Sequence, residues 1–456
     1  MEDDTIAAIS TPPGTGALGT VRLSGPGTLS VLSGLCPAQK VWQDRHATLA
    51  IARSPAGERI DEAVVTFFRG PHSYSGEDMA EISCHGNPLI LQRVVSAALG
   101  LGARAARPGE FTLRAYLSGR IDLTQAEAVV DLVESKTEAG LGLALSQIDG
   151  ELTCRVEPLR SRLLDLLAHA TALVDFSEDD IPHLATEEMA KQLGEVMAHI
   201  DDLLAGAQQG QVLRYGVSLT IAGPPNVGKS SILNGLLGRS RAIVTPIAGT
   251  TRDTLEEELS LDGILFRVTD TAGLTKTNDP VEAMGIDRSH SAMGASDIVL
   301  VVIDRSVSLR DEQLVALKAA LAAVSGASVA IALNKSDLAA VQTREALMDL
   351  HPGARMVETS TVTHNGLDGL RRLLPDLASA GPWTDGFVVS NQRHVQALEA
   401  ASEDLKRALS AQAEGLPLDI YSMDIRAAAE SLGEILGIGI GDEILERVFS
   451  RFCIGK

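Results

Sequence analysis

Apolar and polar positions divide the 456-residue chain into four stretches. Over residues 1–119, short β-rich runs alternate with Gly/Pro turns. "GTVRLSG", "EAVVTFF" and "MAEISCHG" predict strands. "NPLILQRVVSAALGLGAR" spaces its apolar side chains at helical intervals, with Gly102 as the expected stop. This stretch predicts a small α+β domain. Residues 120–210 turn Leu- and Ala-rich with a 3.6-residue apolar period. They predict long helices broken near Pro158 and again around "EDDIPH". "MAKQLGEVMAHIDDLLAGAQQG" predicts one further helix. Residues 211–378 alternate strand and helix, the pattern of a doubly wound parallel sheet. Residues 379–456 return to helices in "NQRHVQALEAASEDLKRALSA", "DIYSMDIRAAAESLGEIL" and "DEILERVFSRF". The α/β stretch is expected as an insertion between two halves of one helical domain. Chain length alone calls for two or three domains.

Composition narrows the class. Hydrophobic residues at 45% with 22% charged residues match a soluble globular protein, and no uncharged apolar run is long enough to span a membrane. The start "MEDDTIAAIS" lacks a basic-then-apolar leader, so a cytoplasmic location is expected. The cysteines Cys36, Cys84, Cys154 and Cys453 lie far apart with no CxxC pair, which suits a reducing compartment and argues against a zinc framework. No HxxxH or HExxH spacing occurs. Cys84 and His85 are strand neighbours and face opposite ways, so packing is expected rather than a nucleophile–base pair. The acidic "SEDD" run beside Asp175 is expected as a solvated helix end.

Residues 1–120 carry 11 basic and 11 acidic side chains, so the whole net charge of −21 lies beyond them. Such a surface repels a polyphosphate, and a nucleic-acid substrate requires a local basic patch or a partner. Aromatics make up only 3%, and no basic stripe interleaves with them. Tight RNA binding by this chain alone is not expected.

The strongest chemical signal is "VSLTIAGPPNVGKSS". An apolar strand, Val217 to Ala222, runs into Gly223-x4-Gly228-Lys229-Ser230 and a helix. Glycines let backbone N–H groups wrap a β-phosphate, Lys229 reaches the β and γ oxygens, and Ser230 ligates Mg²⁺. "ILFRVTDTAG" ends in Asp270, where a carboxylate near Mg²⁺ belongs, and in Gly273, whose N–H can meet a γ-phosphate. "AGTTRD" supplies Thr251 to complete the Mg²⁺ shell. "ASVAIALNKSD" ends in Asn334-Lys335-Ser336-Asp337, and a carboxylate there accepts the paired N–H groups of guanine that adenine lacks. Ser360, after "RMVETS", is placed to support base contact. Unrelated glycines and charges would not produce this ordered series. A guanine nucleotide is expected.

Two positions bear on hydrolysis. Leu274 follows "DTAG", and a leucine cannot orient water. Another polar group must serve; Glu282 in "NDPVEAMGIDR" is nearby, although an exposed acid on a helix is the ordinary account of such a residue. Asn226 offers an amide oxygen for a monovalent cation beside the phosphates, supplying charge where other GTPases use an arginine finger.

The chain resembles the MnmE (TrmE) family of tRNA-modification GTPases along nearly all its length. "DTIAAISTPPGTGALGTVRLSG", "SYSGEDMAEISCHGN", "RPGEFTLRAYLSGRIDLTQAEAVVDLV", "GPPNVGKSS", "GTTRD", "DTAGL" and the terminal "FCIGK" occur in the family's order. The resemblance implies an N-terminal folate-binding and dimerisation domain (1–119) and a helical domain in two halves (120–210 and 379–456). It implies an inserted Ras-like P-loop G domain (211–378). It implies a homodimer that forms a heterotetramer with an MnmG-like flavoprotein carrying FAD. Together they would add an aminomethyl-type group, or its carboxymethyl form, to carbon five of the wobble uridine of tRNA. The one-carbon unit would come from a tetrahydrofolate derivative (5-formyl- or methylene-tetrahydrofolate). G-domain dimerisation would be K⁺-dependent and activate hydrolysis.

Carried onto this chain, the GTP-binding set is Asn226, Val227, Gly228, Lys229, Ser230 and Ser231; Thr245, Pro246, Ile247, Ala248, Gly249, Thr250 and Thr251; Asp270, Thr271, Ala272 and Gly273; Asn334, Lys335, Ser336 and Asp337; and Ser360, Thr361 and Val362. Ser230 and Thr251 match Mg²⁺ ligands. Asn226, Thr245, Ile247 and Thr250 match the K⁺ shell. Glu282 matches the catalytic glutamate, with Lys229 and Cys453 as further catalytic residues. Arg22, Glu81, Arg120 and Lys456 match folate contacts. Three positions depart from the family pattern: Arg120 where lysine is frequent, Pro224 where a basic residue is common, and Asn87 where glycine is frequent, at a turn expected near the folate site.

Two other functions compete. A ribosome-assembly GTPase would carry a basic RNA-binding appendage. A membrane-anchored signalling GTPase would need a lipid signal, but Gly455 and Lys456 do not suit a prenylation box and no polybasic run precedes them. The resemblance places the tail near the folate of the N-terminal domain, with the partner subunit as one possible source. Cys453 there is open between one-carbon or redox chemistry and simple packing.

Overall fold

The computed structural model describes residues 4–175, 186–240, 257–270, 296–322, 326–342, 347, 350–351, 353–378 and 386–456. These residues form two compact units. The first comprises Met1–Val130, Gln147–Ser161 and Ala429–Lys456; the second comprises Asp131–Ser146 and Arg162–Ala428.

The first unit is built on six strands: β1 (Ile6–Ile9), β2 (Leu18–Ser24), β3 (Ala47–Arg53), β4 (Arg59–Phe68), β5 (Met79–His85) and β6 (Arg104–Ala105). Their order is β3-β4-β5-β2-β1-β6, antiparallel except for the β1–β6 pair. The period of two sends Val21, Leu23, Val65, Phe67, Ala80 and Ile82 to one face, where helices Thr28–Leu35 and Pro88–Gly100 cover them. Arg22 and Glu81 fall on the other face, directly opposite each other across β2 and β5. Asn87 serves a local role. Its side chain accepts a hydrogen bond from the Leu89 N–H, capping the second helix ahead of Pro88. Cys84 is buried beneath the helices, whereas exposed His85 pairs its Nδ1 with Asp61 at 2.9 Å, as strand alternation requires.

The expected break at Pro158 does not occur. Helix Glu151–Asp175 runs through it. Leu152, Val156, Leu159, Leu163, Leu166, Leu167 and Ala170 form one buried stripe along that helix. Burying it offsets the ~3 kcal/mol that an interior proline costs. The breaks fall instead after helix Leu123–Glu134, and between Glu138–Ile148 and Glu151–Asp175, where Gly150 takes a positive φ. The segment "EDDIPH" and the overlapping "SEDD" run lie outside the described residues, as does the side chain of Asp175. The single helix expected over "MAKQLGEVMAHIDDLLAGAQQG" is two, Thr186–Ala205 and Ala207–Tyr215, parted at Gly206.

In the second unit, β7 (Val217–Ala222), β8 (Glu257–Leu261), β9 (Ile264–Asp270), β10 (Ile298–Asp304), β11 (Ser328–Asn334) and β12 (Arg355–Glu358) form a sheet of order β12-β11-β10-β7-β9-β8. The expected doubly wound sheet is parallel but for one edge: β8 is an antiparallel edge strand on β9. The cause is local. "LDGI" places Asp262 and Gly263 at positive φ, a two-residue hairpin turn. Helices Lys229–Ser240 and Leu367–Ala378 cover one face and Asp311–Ala322 the other, around separate cores. Helix Gln392–Ala413, capped by Asn391, packs along Thr186–Ala205.

Candidate nucleotide site and N-terminal cavity

The parallel strands of the second sheet all deliver their carboxyl ends to one edge, where α/β sheets bind ligands. After β7 the chain turns at Asn226 (φ 62°) and Gly228 (φ 97°) and enters helix Lys229–Ser240. A Cβ on Gly228 would lie 2.3 Å from Asn334 Nδ2, so only glycine admits the Asn334–Asp337 segment against the loop. Lys229 is buried, and its ammonium donates to the carbonyls of Gly223 and Pro224, both at 2.9 Å. Pro224 thus contributes its carbonyl, and the departure from the family pattern costs the loop no donor that this geometry uses. Ser230 and Ser231 are exposed in the first turn, among the unpaired N–H groups that make a helix start attractive to anions.

Asn334 ends β11 and is buried. Its Nδ2 donates to the Val227 carbonyl at 2.8 Å, and the Thr359 hydroxyl donates to its Oδ1 at 3.3 Å. Ser360 Oγ donates to Asp337 Oδ1 at 2.6 Å, which orients the carboxylate expected to read guanine. The Ser336 N–H donates to Thr359 O at 3.0 Å. Lys335, at φ 61°, pairs with Asp304 at 2.6 Å. The structure therefore brings the phosphate loop, Asn334–Asp337 and Ser360 together; Thr361 and exposed Val362 follow Ser360 in the same turn. Thr245 to Thr251, Thr271, Ala272, Gly273, Leu274 and Glu282 lie outside the described residues, as does the side chain of Asp270. Sequence reasoning missed Asp304 and Thr359, which act on the motif residues from neighbouring strand ends.

The first unit holds a cavity of about 550 Å³ lined by Arg22, Glu81, Arg120, Tyr74, Arg45 and His72, among others. Arg22 Nη2 donates to Glu81 Oε1 at 2.7 Å. Its guanidinium lies 5.1 Å from the centroid of the Tyr74 ring, and that of Arg120 lies 5.6 Å from it. Three of the four expected folate contacts therefore share one cavity. The carboxyl-terminal tail of the same chain arrives beside it. Ile454 bridges Pro108, the Phe111 N–H donates to Lys456 O at 3.2 Å, and Arg22 Nη1 reaches Gly455 O at 3.5 Å. Gly455 (φ 98°) is buried, and a Cβ there would stand 2.2 Å from Ile9 O. No partner subunit is needed to bring the tail to this domain. Cys453 is exposed on it. Tyr74 stood within the quoted "SYSGED" block, but nothing local marked Arg45 or His72 as neighbours of Arg22.

Residues 5–120 match the model described as GTP-binding protein TrmE N-terminus, and residues 123–453 match the MnmE helical domain. The tRNA modification GTPase MnmE of Roseiflexus castenholzii is 41% identical over 474 residues, and that of Chloroflexus aurantiacus is 43% identical over 460; each comparison spans 100% of both chains. The chain belongs to the MnmE family. This MnmE-family chain is also similar to the solved G domain of the T. maritima FeoB iron transporter. That likeness is 28% identical and covers 36% of this chain and 99% of that one, but its TM-score of 0.27 lends it no weight.

Proposed function

We propose that this MnmE-family chain hydrolyses GTP in the course of tRNA modification. With an MnmG-like, FAD-bearing partner, it would install an aminomethyl or carboxymethylaminomethyl group on carbon five of the wobble uridine. The observation that carries the proposal is the gathering of Lys229, Asn334, Asp337 and Ser360 at one edge of a sheet whose chain matches MnmE relatives end to end.

The residues present suit a guanine nucleotide. The glycine-permitted approach at Gly228 leaves a backbone-lined cradle, and Lys229 stands within it. Ser230 and Thr251 would hold Mg²⁺, which neutralises charge on the β- and γ-phosphates. Asn226, with Thr245, Ile247 and Thr250, would hold K⁺ in a G-domain dimer. Glu282 would orient the attacking water where Leu274 cannot. The cavity suits a reduced folate: Arg22 and Glu81 present a paired donor and acceptor, Tyr74 offers an aromatic wall, and Arg120 supplies charge, with Lys456 on the neighbouring tail as a further expected contact. The ligand would be 5-formyl- or methylene-tetrahydrofolate, supplying the one-carbon unit. Cys453, exposed on the tail, would take part in that chemistry.

The decisive test is mass spectrometry of wobble uridines from cells lacking the chain. Unchanged modification would sink the proposal. Loss of modification with ribosome profiles intact would also dispose of a ribosome-assembly GTPase. Hydrolysis measured in K⁺ and Na⁺ buffers tests the cation: equal rates would remove it. Glu282→Ala should lower kcat while leaving the affinity for GTP near its original value.

A further inference from the structure

The cavity of the first unit carries positive charge that its own fold does not neutralise. Arg22 is matched by Glu81, but Arg45 and Arg120 meet no carboxylate among the described residues. Arg45 Nη2 donates to His72 O at 2.8 Å and Arg120 Nη1 donates to Tyr74 O at 2.5 Å, so both guanidiniums hang on carbonyls of one short segment. Each retains most of its five donors in the fork geometry that suits carboxylates. Residues 1–120 hold as many acids as bases, 11 of each, yet none of those acids is spent on Arg45 or Arg120 among the described residues.

The two arginines are also held in place. Arg45 sits at φ 55°, a conformation uncommon for a residue with a Cβ. The loop carrying it is fastened by the Arg45 N–H to Phe67 O at 2.7 Å and by the Arg69 N–H to Asp44 Oδ1 at 2.8 Å. A cation fixed in this way loses little freedom when it meets an anion.

Burial gives the site a direction. The Arg22 and Glu81 side chains are 18% and 32% exposed, while Arg45, His72 and Arg120 are exposed at the rim. A planar head meeting the Arg22–Glu81 pair and the Tyr74 ring would project its tail past the rim arginines. Resting on the folate assignment of this cavity, we propose that Arg45 forms an extension of the site for an anionic tail: the natural ligand is a folate bearing several γ-linked glutamates, and Arg45 engages carboxylates beyond the first glutamate.

The test is equilibrium dialysis of the full chain with 5-formyltetrahydrofolate as the monoglutamate and as the pentaglutamate. The pentaglutamate should bind about tenfold more tightly at low salt, and the advantage should shrink as salt screens the rim charges. In Arg45→Gln the ratio of the two affinities should fall towards one, and in Arg45→Lys it should largely recover. General damage to the cavity would weaken both ligands and leave the ratio unchanged. Equal affinities in the unaltered chain, or an undiminished ratio in Arg45→Gln, would overturn the proposal. If neither ligand binds the unaltered chain, the folate assignment itself falls, and this extension with it.

Discussion

Lys335 Nζ lies 2.6 Å from Asp304 Oδ2, so the lysine of the Asn334–Asp337 segment is tied to the end of the adjacent strand β10. Asp304 and Asn334 are register partners across β10 and β11. The pair therefore holds the lysine to the strand whose end is in register with the asparagine. Burial raises the Asp304 carboxyl, but the hydrogen bonds from Lys335 and Ser306 outweigh it and hold the group below the ordinary carboxylate range. The aspartate is ionised near neutrality. The pair's contribution is complete above that range and is lost as pH falls through the depressed value.

Asp304→Asn should raise KM for GTP about tenfold with kcat little changed. A hydrogen bond to a charged group is worth ~1.5–3 kcal/mol, and the lower end applies because the Lys335 side chain is 36% exposed. Asp304→Glu should restore part of the affinity. Steady-state kinetics decide the matter, and an unchanged KM would leave the pair without a role in nucleotide binding.

Gly455→Ala should release the carboxyl-terminal tail. The new Cβ would lie 2.2 Å from Ile9 O at a φ of 98°, so both overlap and backbone strain oppose it. Together they cost roughly 2–4 kcal/mol. Carboxypeptidase should then trim the terminus faster than in the unaltered chain, and folate affinity should fall because Arg22 loses the neighbouring carbonyl. A tail that resists trimming equally in both proteins would contradict this seating.

Thiol labelling should separate the four cysteines. Burial pushes the Cys36 thiol up to about 11 and, together with nearby Asp61, that of Cys84 up to about 12, so neither yields useful thiolate at neutral pH. Cys154 and Cys453 are exposed. Brief treatment with iodoacetamide followed by peptide mass spectrometry should find the label on Cys154 and Cys453 alone. Rapid labelling of Cys84 would mean that the helices over β5 open readily.

The first unit should be acid-sensitive. Arg114 is buried and bonds Asp4, Glu77 and Glu110, while Arg104 bonds Asp4 and Glu110. The Arg104 hydrogen bond holds the Asp4 carboxyl below its ordinary range. Burial lifts Glu110, but Arg104 and the Arg107 N–H pull it lower still. Both acids therefore stabilise the fold above the ordinary carboxylate range, and that stability is lost as pH falls through their depressed values. Melting followed by circular dichroism should show a drop below about pH 4. Arg114→Met should cost about 3 kcal/mol at neutral pH, because Glu77, half-buried Asp4 and buried Glu110 lose a cation that Arg104 replaces only for Asp4 and Glu110, and it should flatten the acid limb. A melting profile indifferent to both changes would refute this account.

Much of the nucleotide site was legible in the residues themselves. The spacing from Gly223 to Ser230, and the runs ending in Asp270 and Asp337, carry local chemistry: a strand, a tight turn and a helix start need only near neighbours. The α+β character of residues 1–119 was legible for the same reason. Pro158 misled because a proline is a local signal, whereas the buried stripe from Leu152 to Ala170 that overrides it is a property of packing. The antiparallel β8 was encoded in Asp262-Gly263, a local signal that went unused.

By itself the sequence determined the ordered motifs, the kinship with MnmE and the uneven distribution of charge. These depend on residue identity and short spacing. Only the tertiary structure decided that Arg22 faces Glu81 across two strands, that Arg45 joins Arg120 on one cavity, and that the tail of the same chain lies against Ile9. Such partners are separated by tens to hundreds of residues. Their meeting depends on strand register and on which backbones can approach closely, and both are settled when the elements pack.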